Sequence, residues 1–129
     1  MKRYAVSKAS NYLHSGEFAR RYADAGIVSV ALNPGNLDSD LWRTQGSLTS
    51  WFLRKFVLHP SVNGAYTELF AGLAPEVAGR NGSWVVPFGR FMPVTRDDLV
   101  KATKTREDGG SGVGEEFWKW NEEQVKPFL

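Results

Sequence analysis

Residues 27–35 read Ile-Val-Ser-Val-Ala-Leu-Asn-Pro-Gly, and the reading of this stretch decides the fold. Six residues rich in β-branched side chains, broken only by Ser29, predict a parallel strand covered on both faces. Asn33-Pro34-Gly35 ends it: proline withdraws an amide donor, and glycine removes the side chain that would hold a flat ligand ring at a distance. Upstream, Ala5 to Ala25 carries helix formers with apolar side chains at Ala5, Ala9, Tyr12, Leu13, Phe18 and Tyr22, one stripe for a core. Gly26 stands where a C-cap glycine is preferred. A helix followed by a buried strand is half of a βαβ unit, so the expected class is α/β. Such a helix descends roughly 30 Å over about 20 residues and the strand climbs back a comparable distance. The helix start and Pro34 therefore meet on one rim of the sheet, where ligands bind in this architecture.

That rim is expected to carry Tyr4 and Lys8, in Tyr-Ala-Val-Ser-Lys. Residues four apart on a helix lie one above the other. A phenol ionises near pH 10, and an ammonium ion and a helix amino end both favour its anion. The pair can thus move protons. Alone it is also a pattern that a solvated face produces by chance.

The order Tyr4-x-x-x-Lys8, amphipathic helix, apolar strand, Asn33-Pro34-Gly35 and Ser39 resembles the carboxyl-terminal half of short-chain dehydrogenase/reductases. Ser61-Val62-Asn63-Gly64-Ala65-Tyr66 resembles that family's late helix, and Gly82 to Gly89 its last strand and following turn; the nearest flavour is the retinol-dehydrogenase-like branch in its fungal form. The resemblance implies a partial Rossmann-type, doubly wound parallel sheet. It implies that Tyr4 is the general acid/base, that Lys8 assists it and binds the nicotinamide ribose, and that Pro34, Gly35, Leu37 and Ser39 complete the cofactor contacts. Ser39 stands where the family usually has Thr. The cofactor implied is NADP or NAD, exchanging a hydride with a small lipophilic alcohol or ketone. The family's glycine-rich phosphate loop and its catalytic Ser and Asn have no counterpart here, so weak cofactor binding and little activity are expected of the chain alone. The alternative is a non-catalytic dimerising or regulatory fragment associated with another chain of the family.

Asn36 to Gly46 is expected to be a loop over the site, and Leu48 to Leu58 a short helix. The resemblance makes this stretch a substrate lid, in which Leu41, Trp42, Trp51 and Phe52 either line a lipophilic pocket or pack on the core. Ser61 is expected to cap a helix to Leu73, closed by Pro75, and Trp84-Val85-Val86 to form a strand that Pro87 ends or marks as an edge. Asn81-Gly82-Ser83 fits a glycosylation sequon but reads as a tight turn. Residues 107–114, with Gly110, Gly112 and Gly114, read as a flexible linker rather than a phosphate loop. Residues 115–124 read as a terminal helix with Phe117, Trp118 and Trp120 near the surface, docked on its own domain or on another subunit.

The 129 residues suit a single domain, incomplete by the resemblance, and a net charge of +2 gives no field that implies nucleic acid. No apolar run reaches the roughly 18 residues of a membrane span and no signal peptide is evident, so cytoplasmic residence is expected. The absence of cysteine excludes disulfides and thiolate chemistry. His14 reads as a helix-surface residue and His59 as a loop residue; no metal is expected. Residues 27–32 would be an interior strand whose neighbours, in the complete fold, are upstream strands; an exposed edge in their place invites homo-oligomerisation or association with another chain of the family.

Overall fold

The computed structural model describes residues 2–42 and 46–129, except the side chains of Lys2 and Leu41. Helix α1 (Lys2–Arg21) is followed by strand β1 (Ala31–Leu32), a 3-10 turn (Asp40–Trp42), α2 (Ser47–Phe56), α3 (Val62–Leu73), α4 (Pro75–Ala78), β2 (Trp84–Val86), β3 (Arg90–Phe91), α5 (Asp97–Ala102) and α6 (Val113–Val125). The class is mixed α/β.

Helix α1 ends with Arg20 and Arg21, cations that suit its carboxyl end. Gly26 does take a left-handed conformation, φ +73°, but one turn beyond the helix, where its amide donates to the Ala23 carbonyl. The strand expected over Ile27 to Leu32 is shorter. Residues 29–33 run beside 82–85, with Gly82 donating to Ser29, Ala31 to Ser83 and Asn33 to Val85, and only Ala31 and Leu32 complete a ladder, paired with Trp84 and Val85. Among the described residues β1 has a neighbour on one side only. The sheet order is β1-β2-β3, so β1 is an edge, and Ile27 and Val28 are 46% and 41% exposed instead of covered.

Strand β2 is the interior strand, and Val85 is completely buried. Pro87 ends it as expected, but does not mark an edge. Phe88 and Gly89, with φ of 67° and 63°, turn the chain into the antiparallel β3. Side chains alternate across a strand. Trp84 meets Tyr12 of α1 at 5.9 Å, whereas Phe91, the partner of Val85, meets Phe70 of α3 at 5.8 Å. Helices α1 and α3 therefore cover opposite faces.

Ser61 precedes α3 but makes no side-chain cap, whereas the helix ends at Leu73 as expected, because Pro75 holds the preceding Ala74 extended; Pro75 then starts α4. The expected linker 107–114 is instead ordered: Gly110 donates to Thr105, Ser111 to Lys101 and Gly112 to Lys104 in turns on α5, and Val113 and Gly114 begin α6. Helix α6 docks on α1. Trp118, expected near the surface, is buried against Phe18 at 4.9 Å and beneath the Arg21 guanidinium at 4.9 Å. Trp120 stays exposed. Glu17, buried at 2% exposure, accepts from Arg20 at 2.6 Å and Arg21 at 2.7 Å, beside the amino end of α6. Among the described residues no helix is long and apolar enough to cross a membrane.

Candidate active site

A cleft of about 660 Å³ opens between α1 and β1, and it brings together four of the expected residues, Tyr4, Lys8, Pro34 and Gly35. Helical spacing supplies the first pair. Lys8 Nζ lies 5.5 Å from the centre of the Tyr4 ring, over its face, and Tyr4 is 55% exposed. The strand supplies the second pair. Gly35 has φ +99°, and its amide donates to Asn33 Oδ1 at 2.9 Å, an Asx turn that fixes the bend. A Cβ at Gly35 would sit 2.9 Å from Pro87 Cγ, so the close approach of the turn after β2 itself requires glycine here.

Leu37, Ser39, Trp42, Trp51 and Phe52 do not line this cleft. Leu37 is turned towards α3: its side chain sits where a Gly64 Cβ would be, and its carbonyl accepts the Trp42 indole N–H at 3.0 Å. The flanking backbone is held by His59, which donates to the Asn36 carbonyl and accepts from the Asp38 amide, each at 2.8 Å. The Ser39 carbonyl accepts the Trp42 amide at 3.2 Å. Trp51 and Phe52 project from α2, which buries no residue, and are more than half exposed, with Phe52 against Phe56 at 5.0 Å. The Leu41 side chain lies outside the described residues.

Asn11, Tyr12, Ser15, Glu68 and Trp84 also line the cleft and were not anticipated as site residues. The signal for three of them was present. Asn11 and Ser15 follow Lys8 by three and seven residues and Tyr12 follows it by four, the positions that share a helix face. Burial raises the Tyr12 phenol pKa above its ordinary value, opposed by a hydrogen bond from Thr103. His14 is half-buried at the α1–α6 seam, 4.9 Å from Phe117, not on an open helix surface. Among the described residues no three His, Cys, Asp or Glu side chains cluster as a metal site would need.

No family model and no solved structure matches the chain. A short-chain dehydrogenase/reductase of Phomopsis amygdali is 53% identical over 98% of the chain and 39% of its own length. One of Neocamarosporium betae is 48% identical over the whole chain and 37% of its own length. A third, of Pestalotiopsis fici, is 40% identical over 98% of the chain and 37% of its own length. The chain thus spans less than two fifths of the length of these curated relatives. Over that span, at 40–53% identity from end to end, it belongs to the short-chain dehydrogenase/reductases.

Proposed function

We propose that the chain carries the proton-transfer side of an NAD(P)-dependent alcohol or carbonyl oxidoreductase, as the carboxyl-terminal part of that fold. The observation that supports this reading is the convergence of Tyr4, Lys8 and the Pro34–Gly35 bend on one cleft. The residues present suit the nicotinamide riboside end of the cofactor. The bend offers Pro34 and the Gly35 backbone as a wall, the Lys8 ammonium offers donors for ribose hydroxyls, and the phenol lines the same cleft. When bound, the cofactor supplies or accepts the hydride. Tyr4 then gives its proton to the substrate oxygen during reduction and takes it back during oxidation, with Lys8 favouring negative charge on the phenol oxygen as the proton leaves. The Leu37 backbone, whose side chain packs towards α3, would meet the carboxamide side of the ring, with Ser39 following it. Leu41, Trp42, Trp51 and Phe52 would cover a small lipophilic alcohol or ketone once the segment they occupy swings over the cleft.

Nicotinamide mononucleotide is the appropriate probe, since it carries only the part of the cofactor that this cleft suits. Saturation-transfer NMR at millimolar probe should show contact at the nicotinamide and ribose protons. Lys8→Met should weaken that contact several-fold, and Tyr4→Phe should leave it nearly unchanged while abolishing proton transfer in any completed enzyme, by about 10²–10⁴-fold. Probe binding that ignores Lys8→Met, or none at all, refutes the assignment.

A further inference from the structure

A second cavity, of about 380 Å³, opens at the amino end of β2, between the turn that precedes it, β3 and α5. Its floor lies on β2 and β3, on the side of the sheet away from the unpaired edge of β1. Apolar walls come from Trp84, Met92, Val94 and Val100, and from Tyr12 of α1. Tyr12 meets Trp84 edge to face at 5.9 Å, and both also line the cleft of Tyr4, so this pair of rings is the partition between the two spaces.

Arg80 is the one charged residue lining this second cavity among the described residues. Its guanidinium lies over the Phe91 ring at 4.6 Å, and Phe91 is itself packed on Phe70 at 5.8 Å. The backbone beneath it is fixed as well: the Arg80 amide donates to the Val77 carbonyl at 2.9 Å, and the Arg80 carbonyl accepts from the Ser83 amide at 3.1 Å. A guanidinium seated on an aromatic face has less freedom to lose when its planar fork of N–H groups takes a ligand. Carboxylates match that fork. Arg20, Arg21, Arg54, Arg96 and Arg106 each hold one, whereas Arg80 holds none among the described residues. The polar cleft beside Arg20 and Lys119 makes the contrast, since Glu107, Glu115 and Glu116 line it and balance its cations. In the Arg80 cavity the positive charge is left uncompensated, next to the Ser83 hydroxyl and a mainly aromatic and aliphatic lining.

We propose that this cavity is a second ligand site, taking a small aryl-substituted carboxylate: the carboxylate on the Arg80 fork, with the Ser83 hydroxyl as a further donor, and the ring among Trp84, Met92 and Val100. A single cation beside an uncharged lining suits a monoanion with an apolar tail, and the volume, at the small end of ligand cavities, suits one ring. This goes beyond the hydride-transfer reading and stands without it.

The test uses the full chain, labelled with ¹⁵N and with ¹³C in the methionine methyls, and 3-phenylpropionate as probe. Only Met1 and Met92 carry such methyls, so the cavity has a signal of its own. The Met92 methyl, the Trp84 indole N–H and the Arg80 side-chain N–H should shift along saturable curves with one dissociation constant on the order of 1–10 mM, the affinity open to a ligand of about eleven non-hydrogen atoms. Nuclear Overhauser contacts should join the probe ring to the Met92 and Val100 methyls. Arg80→Met should weaken binding at least three-fold, and 3-phenylpropanamide, which keeps the shape and loses the charge, should bind the unaltered chain at least three-fold more weakly. Val100→Phe, which fills the cavity and keeps the cation, should remove the saturable shifts. Should either variant disturb the fold, the two probes on the unaltered chain decide. Equal binding of the amide, the same shifts from inorganic phosphate, shifts confined to Tyr4, Lys8 and Gly35, or no saturable shift at all would each overturn the proposal. None of these readouts involves cofactor or turnover, so failure here leaves the Tyr4–Lys8 assignment to its own test.

Discussion

Replacing Glu17 by alanine should uncouple α6 from α1. The carboxylate is 2% exposed, accepts from Arg20 at 2.6 Å and from Arg21 at 2.7 Å, and its other oxygen lies 3.4 Å from the position a Gly114 side chain would take in the first turn of α6. Breaking a fully buried ion pair typically costs 3–5 kcal/mol. The two guanidinium side chains are 40% and 28% exposed, so they regain water when the carboxylate is lost, and the cost falls to about 2–3 kcal/mol. The amino end of α6 loses its anion as well, worth roughly 0.3–1 kcal/mol and included in that figure. Glu17→Gln, which keeps the shape and one acceptor, should cost about half as much. Urea unfolding followed by tryptophan fluorescence measures both. Because Trp118 lies in the seam, its emission should shift red at urea concentrations below the main transition. A Glu17→Ala chain within about 0.5 kcal/mol of the parent, with α6 amides still protected, would refute the assignment of this carboxylate as the pin between the two helices.

Tyr12 has a phenol pKa raised from the ordinary 10.0 by burial, so its contribution is intact below about pH 10 and is lost as pH rises through the higher folded value; Tyr12→Phe should flatten that alkaline limb in unfolding measured against pH. Gly114→Ala places a methyl 2.7 Å from the Ala102 carbonyl oxygen, backbone that cannot step aside, and should cost about 1–3 kcal/mol. Gly72→Ala, inside α3 with nothing within 4 Å, should instead stabilise by about 0.5–1 kcal/mol, and the two variants compared by thermal unfolding check the sign of each.

The sequence was legible where a pattern ran long enough to average over local accidents. Helix α1 and the Tyr4–Lys8 face came through because 20 residues repeat one period. The bend at Pro34 and Gly35 came through because two residues with special backbones stand together. What failed was short or relational. Strand β3 is two residues and α5 is six, too few for periodicity to register, and β3 is ordered mainly by the turn at Phe88 and Gly89. The length of β1 depends on whether a second neighbour exists, which the residues of β1 do not encode. Trp118 reads as one of three aromatics on a polar helix; only the partner face, with Phe18 and Arg21, buries it. Glu68 reaches the cleft by the packing of α3 and gives no sign in its own neighbourhood.

Asn81 and Gly82 form a corner with a chemical consequence. Asn81 Oδ1 accepts the Ser29 amide at 2.8 Å, its Nδ2 donates to the Ala19 carbonyl at 2.8 Å, and the Gly82 amide is committed to the Ser29 carbonyl at 2.8 Å. Asparagine followed by glycine ordinarily ages by attack of the glycine nitrogen on the side-chain amide carbon. Here the attacking nitrogen and the amide under attack are both tied down for as long as β1 stays seated beside the turn. Isoaspartate accumulating at position 81 would therefore work as a molecular clock, advancing only while that corner stands open.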